Sequence, residues 1–233
     1  MGLIYKLLGK TNERHNAFHR NLALLLKAQN IDLIFDIGAN KGQYAETMFS
    51  LGYRGRIVSF EPGISAHGIL SARAAGNERW AVAPRMALGS RREILDLYAF
   101  NRTDMNSLLA PTHDIFTSFP KLVEAEPERA QVERLDHVFD DFAKAADRIL
   151  LKIDTQGSEL AVLEGAAGCL HRIPLLQLEI PVVPVYKGAP SWMDILAPVH
   201  HGGFRPVLTS AGYFSKQINA QIDMDIIFLK QRD

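Results

Sequence analysis

Residues 31–36 form a short, almost unbroken apolar run that closes on a glycine turn, Asp36-Ile37-Gly38-Ala39-Asn40-Lys41-Gly42. An apolar run without alternation is the pattern of a strand buried on both faces. A glycine after such a strand lets the backbone turn tightly and approach a ligand. The helix that follows aims free N–H groups at that ligand. The same unit recurs along the chain. Residues 41–50 read as a helix stopped at Gly52, 56–60 as a strand closed by Glu61-Pro62, and 64–75 as a helix before Gly76. A strand lies within 80–88, broken by Pro84 and closed by Gly89, and 93–100 supplies an extra one. The alternation resumes with a strand at 148–153, a helix at 158–170, a strand at 175–180 and a helix near 192–199. The chain ends with segments at 204–209, 213–217 and 224–230, the last two expected to pair as a hairpin. Strands alternating with helices predict an α/β fold with a doubly wound, mostly parallel sheet. Ligands then bind at the carboxyl ends of the strands, near the point where strand order reverses.

Two regions stand outside this alternation. Residues 13–29 read as a helix with Phe18, Leu22, Leu25 and Leu26 near one face. The expected division is an N-terminal helical extension over 1–30 packed on a main domain over 31–233, a size that suits one domain. Residues 101–127 are polar, carry three prolines and lack a clean period, so they read as a lid-like insertion. Lys+Arg and Asp+Glu are equal at 26 each, which removes any global pull toward nucleic acid or anionic membrane. With Cys169 as the single cysteine, an intramolecular disulfide and a zinc-thiolate cluster are excluded, which fits a cytoplasmic setting. The apolar stretch at 1–10 is too short to span a bilayer, and no transmembrane segment is expected. His15 and His19 are four apart but far from the motifs, and no metal site is expected. A homo-oligomer is compatible with the sequence.

The chemistry-bearing residues fall at the strand ends. Asp36 can pair with a cationic amine, and Asn40 can hydrogen-bond a carboxylate or hold its loop. The pattern here is G-x-N-x-G, with Gln43 five residues after Gly38, whereas a dinucleotide fingerprint reads G-x-G-x-x-G. That speaks against a nicotinamide cofactor. Glu61, just past the second strand, offers a carboxylate suited to both hydroxyls of a ribose. Together the Asp36/Gly38 turn and Glu61 describe a nucleoside bound across two adjacent strand ends. Lys152 interrupts a later apolar strand, Asp154 ends it, and Gly157 permits the turn into the next helix. Glu179 ends the following strand in the same way. Asp154 and Glu179 can face one cleft, as acid/base groups or as ligands of a divalent ion.

Taken together these segments resemble the FkbM family of methyltransferases. The resemblance runs over about residues 31–181. It is carried by FDIGANKGQYA at 35–45, SFEP at 59–62, ALGS at 87–90, VERLDHVF at 132–139 and LLKIDTQGSELAVLEGA at 150–166. It implies a Rossmann-like class I methyltransferase fold with seven strands, the last antiparallel. It also implies S-adenosylmethionine as methyl donor and a small-molecule or glycan acceptor, usually a hydroxyl on a sugar or natural product, hence O-methylation. Carried over by motif, Asp36 and Gly38 belong beside the methionine part of the donor, and Ala39 and Asn40 among the residues that bind it. Glu61 and Pro62 belong at the ribose, and Ala87 and Leu88 near the adenine. The segment Asp104-Met105-Asn106-Ser107 would cover donor or acceptor, although this Ser-rich stretch is short here. Asp154 is expected to contact the donor and to orient or deprotonate the acceptor, with Glu179 or a histidine assisting. The rival reading is a catalytically inactive protein that only binds S-adenosylmethionine, and a nicotinamide oxidoreductase ranks below it.

Overall fold

A computed structural model describes residues 9–231, with side chains described from 17. Residues 1–8 of the amino-terminal apolar stretch and the side chain of His15 lie outside the described residues. Helix α1 (Gly9–Ala28) precedes β1 (Leu33–Ile37), α2 (Gln43–Ser50), β2 (Arg56–Phe60), α3 (Ile64–Ala74) and β3 (Trp80–Val82). Then come β4 (Ala87–Leu88), β5 (Glu93–Leu97), α4 (His113–Ser118), β6 (Glu128–Glu133) and α5 (Leu135–Phe142). The chain continues with β7 (Ile149–Ile153), α6 (Glu159–Gly165), β8 (Leu175–Pro181) and α7 (Trp192–His201). It closes with β9 (Phe204–Ala211), β10 (Phe214–Ser215), β11 (Ala220–Gln221) and β12 (Asp223–Lys230).

The main sheet has seven strands in the order β3-β2-β1-β7-β8-β12-β9. Strands β3, β2, β1, β7 and β8 run parallel, and β12 runs antiparallel to both its neighbours. The antiparallel last strand therefore sits inside the sheet, with β9 at the edge. Strand order reverses between β1 and β7, which puts a crevice at their carboxyl ends. Every residue of β1 and β7 is buried, as their apolar runs predict. The two exceptions to apolarity are Asp36 and Lys152, and the parallel register sets them side by side.

Helices cover both faces. On one face Phe35, Ile37, Phe60, Leu151, Ile153 and Phe139 form a core with α5, α6 and α7. On the other, Phe18, Leu22 and Leu26 of α1 join Ile34, Ile57, Met48, Leu70 and Leu150. The N-terminal helix is thus part of the core: burying each such side chain contributes roughly 1.5–3 kcal/mol.

Three expectations change. The segment 80–88 divides at Pro84 as expected of a residue with no N–H for a ladder, but its two halves enter different sheets. Strand β3 stays in the main sheet, and β4 enters a small sheet ordered β4-β6-β5. The expected hairpin of 213–217 with 224–230 does not form: β12 pairs with β9 and β8, while Phe214–Ser215 pairs with Ala220–Gln221. The longer register partner wins because a full-length central strand satisfies far more backbone groups than a two-residue pairing. Finally, 101–127 is an ordered cover with a 3₁₀ turn at Thr103–Met105, helix α4 and its own small core of Phe100, Met105, Ile115, Leu122, Val185, Tyr186 and Ile222.

Candidate active site

A cleft of about 750 Å3 opens at the carboxyl ends of β1, β2, β7 and β8, roofed by residues 101–108. That volume lies within the ~300–1,000 Å3 usual for small-molecule sites.

One wall is built by the first two strand ends. Gly38 has φ +75, and a Cβ there would collide with the carbonyl oxygen of Asp154, so only glycine lets the β1 turn lie against the end of β7. Asn40, two residues on, holds a left-handed conformation at φ 49, a strain typical of functional loops. Its backbone N–H donates to Glu61 Oε2 at 2.8 Å, and the N–H of Gly63 donates to Oε1 at 2.8 Å. The Glu61 carboxylate is thereby fixed in place with lone pairs left over. Burial pushes its pKa up to about 7, against the pull of the two N–H donors toward the charged form. Pro62, Ala87 and Leu88 line the same wall, as do Gly38, Ala39 and Asn40.

The adjoining ends of β7 and β8 carry charge. The Lys152 ammonium lies 3.0 Å from Asp36 Oδ1 and 3.4 Å from Asp154 Oδ2, and it donates to the Gly38 carbonyl at 3.2 Å. Burial opposes its charge, but Asp36 and Asp154 more than offset this and raise its pKa. Asp36 is fully buried and is not part of the cleft lining; the cation it pairs with is the chain's own Lys152. Asp154 and Glu179 both line the cleft, bridged by the Gln156 amide, which donates to Asp154 Oδ1 at 3.1 Å and to Glu179 Oε2 at 2.6 Å. Burial lifts the Glu179 carboxyl well above its ordinary value, reinforced by the negative charge of Asp154, Asp223 and Asp225.

Several cleft residues were not singled out in the sequence. Asp225 lies opposite Glu179 in the register of β12 and β8, with Asp223 two residues before it. Burial raises both, Asp223 to about 7 and Asp225 to about 6. Gln156, left-handed at φ 56, belongs to a quoted motif, and its amide reaches both carboxylates. Side-chain bonds tie the cover down over the cleft. Thr103 Oγ1 donates to Asn40 Oδ1 at 2.7 Å, Ser107 Oγ to the Gln156 carbonyl at 2.7 Å, and the Tyr186 hydroxyl to the Met105 carbonyl at 2.8 Å. Asp104 and Asn106 also line the cleft. Among the described residues, no group of three or more His, Cys, Asp or Glu is arranged to hold a metal ion, and no helix is long and apolar enough to cross a membrane.

No curated protein is significantly similar in sequence. Many solved structures share the fold. An O-methyltransferase of tomaymycin synthesis from Streptomyces achromogenes, solved with S-adenosylmethionine, aligns with a TM-score of 0.50 at 10% identity over 91% of this chain and 79% of its own. An O-methyltransferase from Bacillus cereus in complex with S-adenosylhomocysteine aligns with a TM-score of 0.49 at 16% identity over 91% and 80%. At 10% identity the likeness to the Streptomyces enzyme is one of fold, and that fold is the class I methyltransferase sheet. A family model for the methyltransferase FkbM domain matches residues 36–213, from the first strand end to the segment after β9. The chain belongs to the FkbM methyltransferase family.

Proposed function

We propose that the cleft binds S-adenosylmethionine and that the chain transfers its methyl group to a hydroxyl of a sugar, glycan or other small natural product. The observation that carries this reading is Glu61. Its carboxylate is clamped by two backbone donors at the end of β2, beside the Gly38 turn and the apolar pair Ala87–Leu88. A fixed carboxylate with free lone pairs next to an apolar wall suits a ribose diol followed by an adenine. The rest of the donor would extend past Gly38, Ala39 and Asn40 toward Asp154, whose negative charge suits a cationic sulfonium.

Bound there, S-adenosylmethionine supplies an already activated methyl group. The chain's residues then have two tasks. The cover residues Thr103 to Ser107 exclude water and hold the two partners in line, a positioning effect worth up to ~7–11 kcal/mol. A carboxylate accepts the proton of the acceptor hydroxyl, a contribution of typically ~10²–10⁴-fold. Asp154 and Glu179 fill that role. Gln156 orients both through its amide. The acid-rich acceptor end favours an uncharged polyhydroxyl compound over a phosphorylated one.

The test is calorimetric titration of S-adenosylmethionine into wild type and Glu61→Ala. Binding by wild type, weakened at least about tenfold in the variant, is the expected result, equivalent to about 1.4 kcal/mol. Folded wild type that shows no binding sinks the donor assignment.

A further inference from the structure

At the other end of the main sheet, where β7, β8 and β9 begin and β12 ends, a second cavity of about 750 Å3 opens. Its ionisable lining is Arg148, His171, Arg172, Arg205 and Lys230, with one carboxylate, Asp147. The cations Arg148, Arg172, Arg205 and Lys230 come from four separate stretches of chain and are gathered only by the strand order, which is why no basic run marks them in the sequence. The even balance of 26 basic and 26 acidic residues hides a polarised molecule, with Asp154, Glu179, Asp223 and Asp225 at one end and this cluster at the other.

The way the cations are held matters more than their number. Arg148 Nε donates to the Gln29 carbonyl at 2.7 Å, Arg172 Nη2 to the Lys144 carbonyl at 2.9 Å, and Lys230 Nζ to the Leu170 carbonyl at 3.4 Å. A carbonyl is a neutral acceptor, so it fixes a cation in place without cancelling its charge. The nearby carboxylates do little to cancel it. Asp147 is engaged by Arg56 at 2.6 Å, and Asp32 accepts only the backbone N–H of Arg148. Arg172 pairs with Asp140, whose side chain is 82% exposed, so water screens that pair. Arg148, Arg205 and Lys230 form no ion pair among the described residues. Mutually repelling cations held in a concavity by neutral bonds leave a standing demand for an anion.

We infer that this cavity is a second binding site, separate from the methyl-transfer cleft, for a small molecule bearing two or more phosphate or sulfate groups. Guanidinium groups match tetrahedral oxyanions by paired N–H donors, and a neighbouring ammonium adds a point charge. The cavity exceeds one such group in volume, and its cations are spread over four chain segments, which favours a multiply charged ligand. The inference does not depend on the donor assignment, because none of these residues touches the cleft.

The experiment is calorimetric titration of inorganic pyrophosphate into wild type, Arg205→Ala/Lys230→Ala, and a control, Arg91→Ala/Arg129→Ala, that removes two exposed cations elsewhere. All three proteins are first checked for the same thermal midpoint. Saturable binding by wild type, preserved in the control and weakened about tenfold or more in Arg205→Ala/Lys230→Ala, is the expected pattern. Absence of binding by wild type at about 50 mM salt overturns the inference. Equal weakening in the control overturns it too, since it would mean diffuse surface charge. Should the Arg205/Lys230 variant lose its thermal midpoint, the single Arg205→Ala variant replaces it, and unchanged affinity there counts against the site.

Discussion

At the scale of single residues, the centre of the sheet holds one ion pair that organises the site. Lys152 and Asp36 meet because the β1–β7 register aligns them, and the ammonium in turn reaches Asp154 at the cleft rim. Removing one partner of a buried pair leaves an uncompensated charge, which costs roughly 3–5 kcal/mol. Lys152→Met should therefore lose stability of that order in urea unfolding. Asp36→Asn combined with Lys152→Met should recover a large part of it, because the stranded charge is gone. A double variant no more stable than Lys152→Met would mean that the pair is not what holds this position together. Asp36, Gly38, Glu61 and Asp154 were legible in the sequence because each lies within two residues of the end of an apolar run. Their depth was not: nothing local distinguishes Asp36, behind the cleft, from Glu61, in its wall. Asp223 and Asp225 escaped notice because their place depends on which strands β12 joins, a pairing set by residues far away in sequence.

At the scale of elements, the alternation of apolar runs with helices gave the main sheet its strands, because parallel strands buried on both faces carry an unmistakable continuous hydrophobicity. Strand β6, with its alternating pattern Glu128-Arg129-Ala130-Gln131-Val132-Glu133, was obscured by its charges, and its parallel partner β4 is only two residues long. The cover over 101–127 was legible as a break in pattern, but not as folded structure, since its small core is completed by Val185, Tyr186 and Ile222 from distant segments. Tyr186 anchors that cover through the Met105 carbonyl, with a second contact to Gln156 Oε1 at 3.2 Å. Tyr186→Phe removes the donor and leaves a buried carbonyl short of a partner, at a cost of about 1–3 kcal/mol. Amide hydrogen exchange is expected to quicken in residues 101–108 while β1 and β7 keep their protection. If exchange in 101–108 is unchanged, the hydroxyl is not the tie that fixes the cover.

At the scale of the whole molecule, two sets of carboxylates pull stability in opposite directions with pH. Asp136 is held below its ordinary pKa by the hydrogen bond from Arg134, and Arg102 lowers Asp104 in spite of burial. The stability these groups add is present above their unfolded pKa values and is lost as pH falls through the lower folded ones. Glu61, Asp223 and Asp225 are raised, chiefly by burial, to about 7, about 7 and about 6. For them the native chain binds more protons than the unfolded one from about pH 4 upward, so stability declines as pH rises until each folded pKa is passed. Stability should accordingly peak in mildly acidic solution and fall toward pH 7 to 8, measured as urea unfolding free energy across pH 4 to 8. Besides Glu61, the alkaline limb comes from the acidic end of the sheet, where β8 and β12 bring Glu179, Asp223 and Asp225 together. Asp223→Asn combined with Asp225→Asn keeps an acceptor oxygen for the Tyr213 N–H and the Gln177 amide while removing two of those charges. The variant should lose less stability between pH 5 and pH 8 than wild type, by up to about 4 kcal/mol. Parallel curves for the two proteins would place the proton uptake elsewhere and would remove the electrostatic reason for an uncharged acceptor at that end of the cleft.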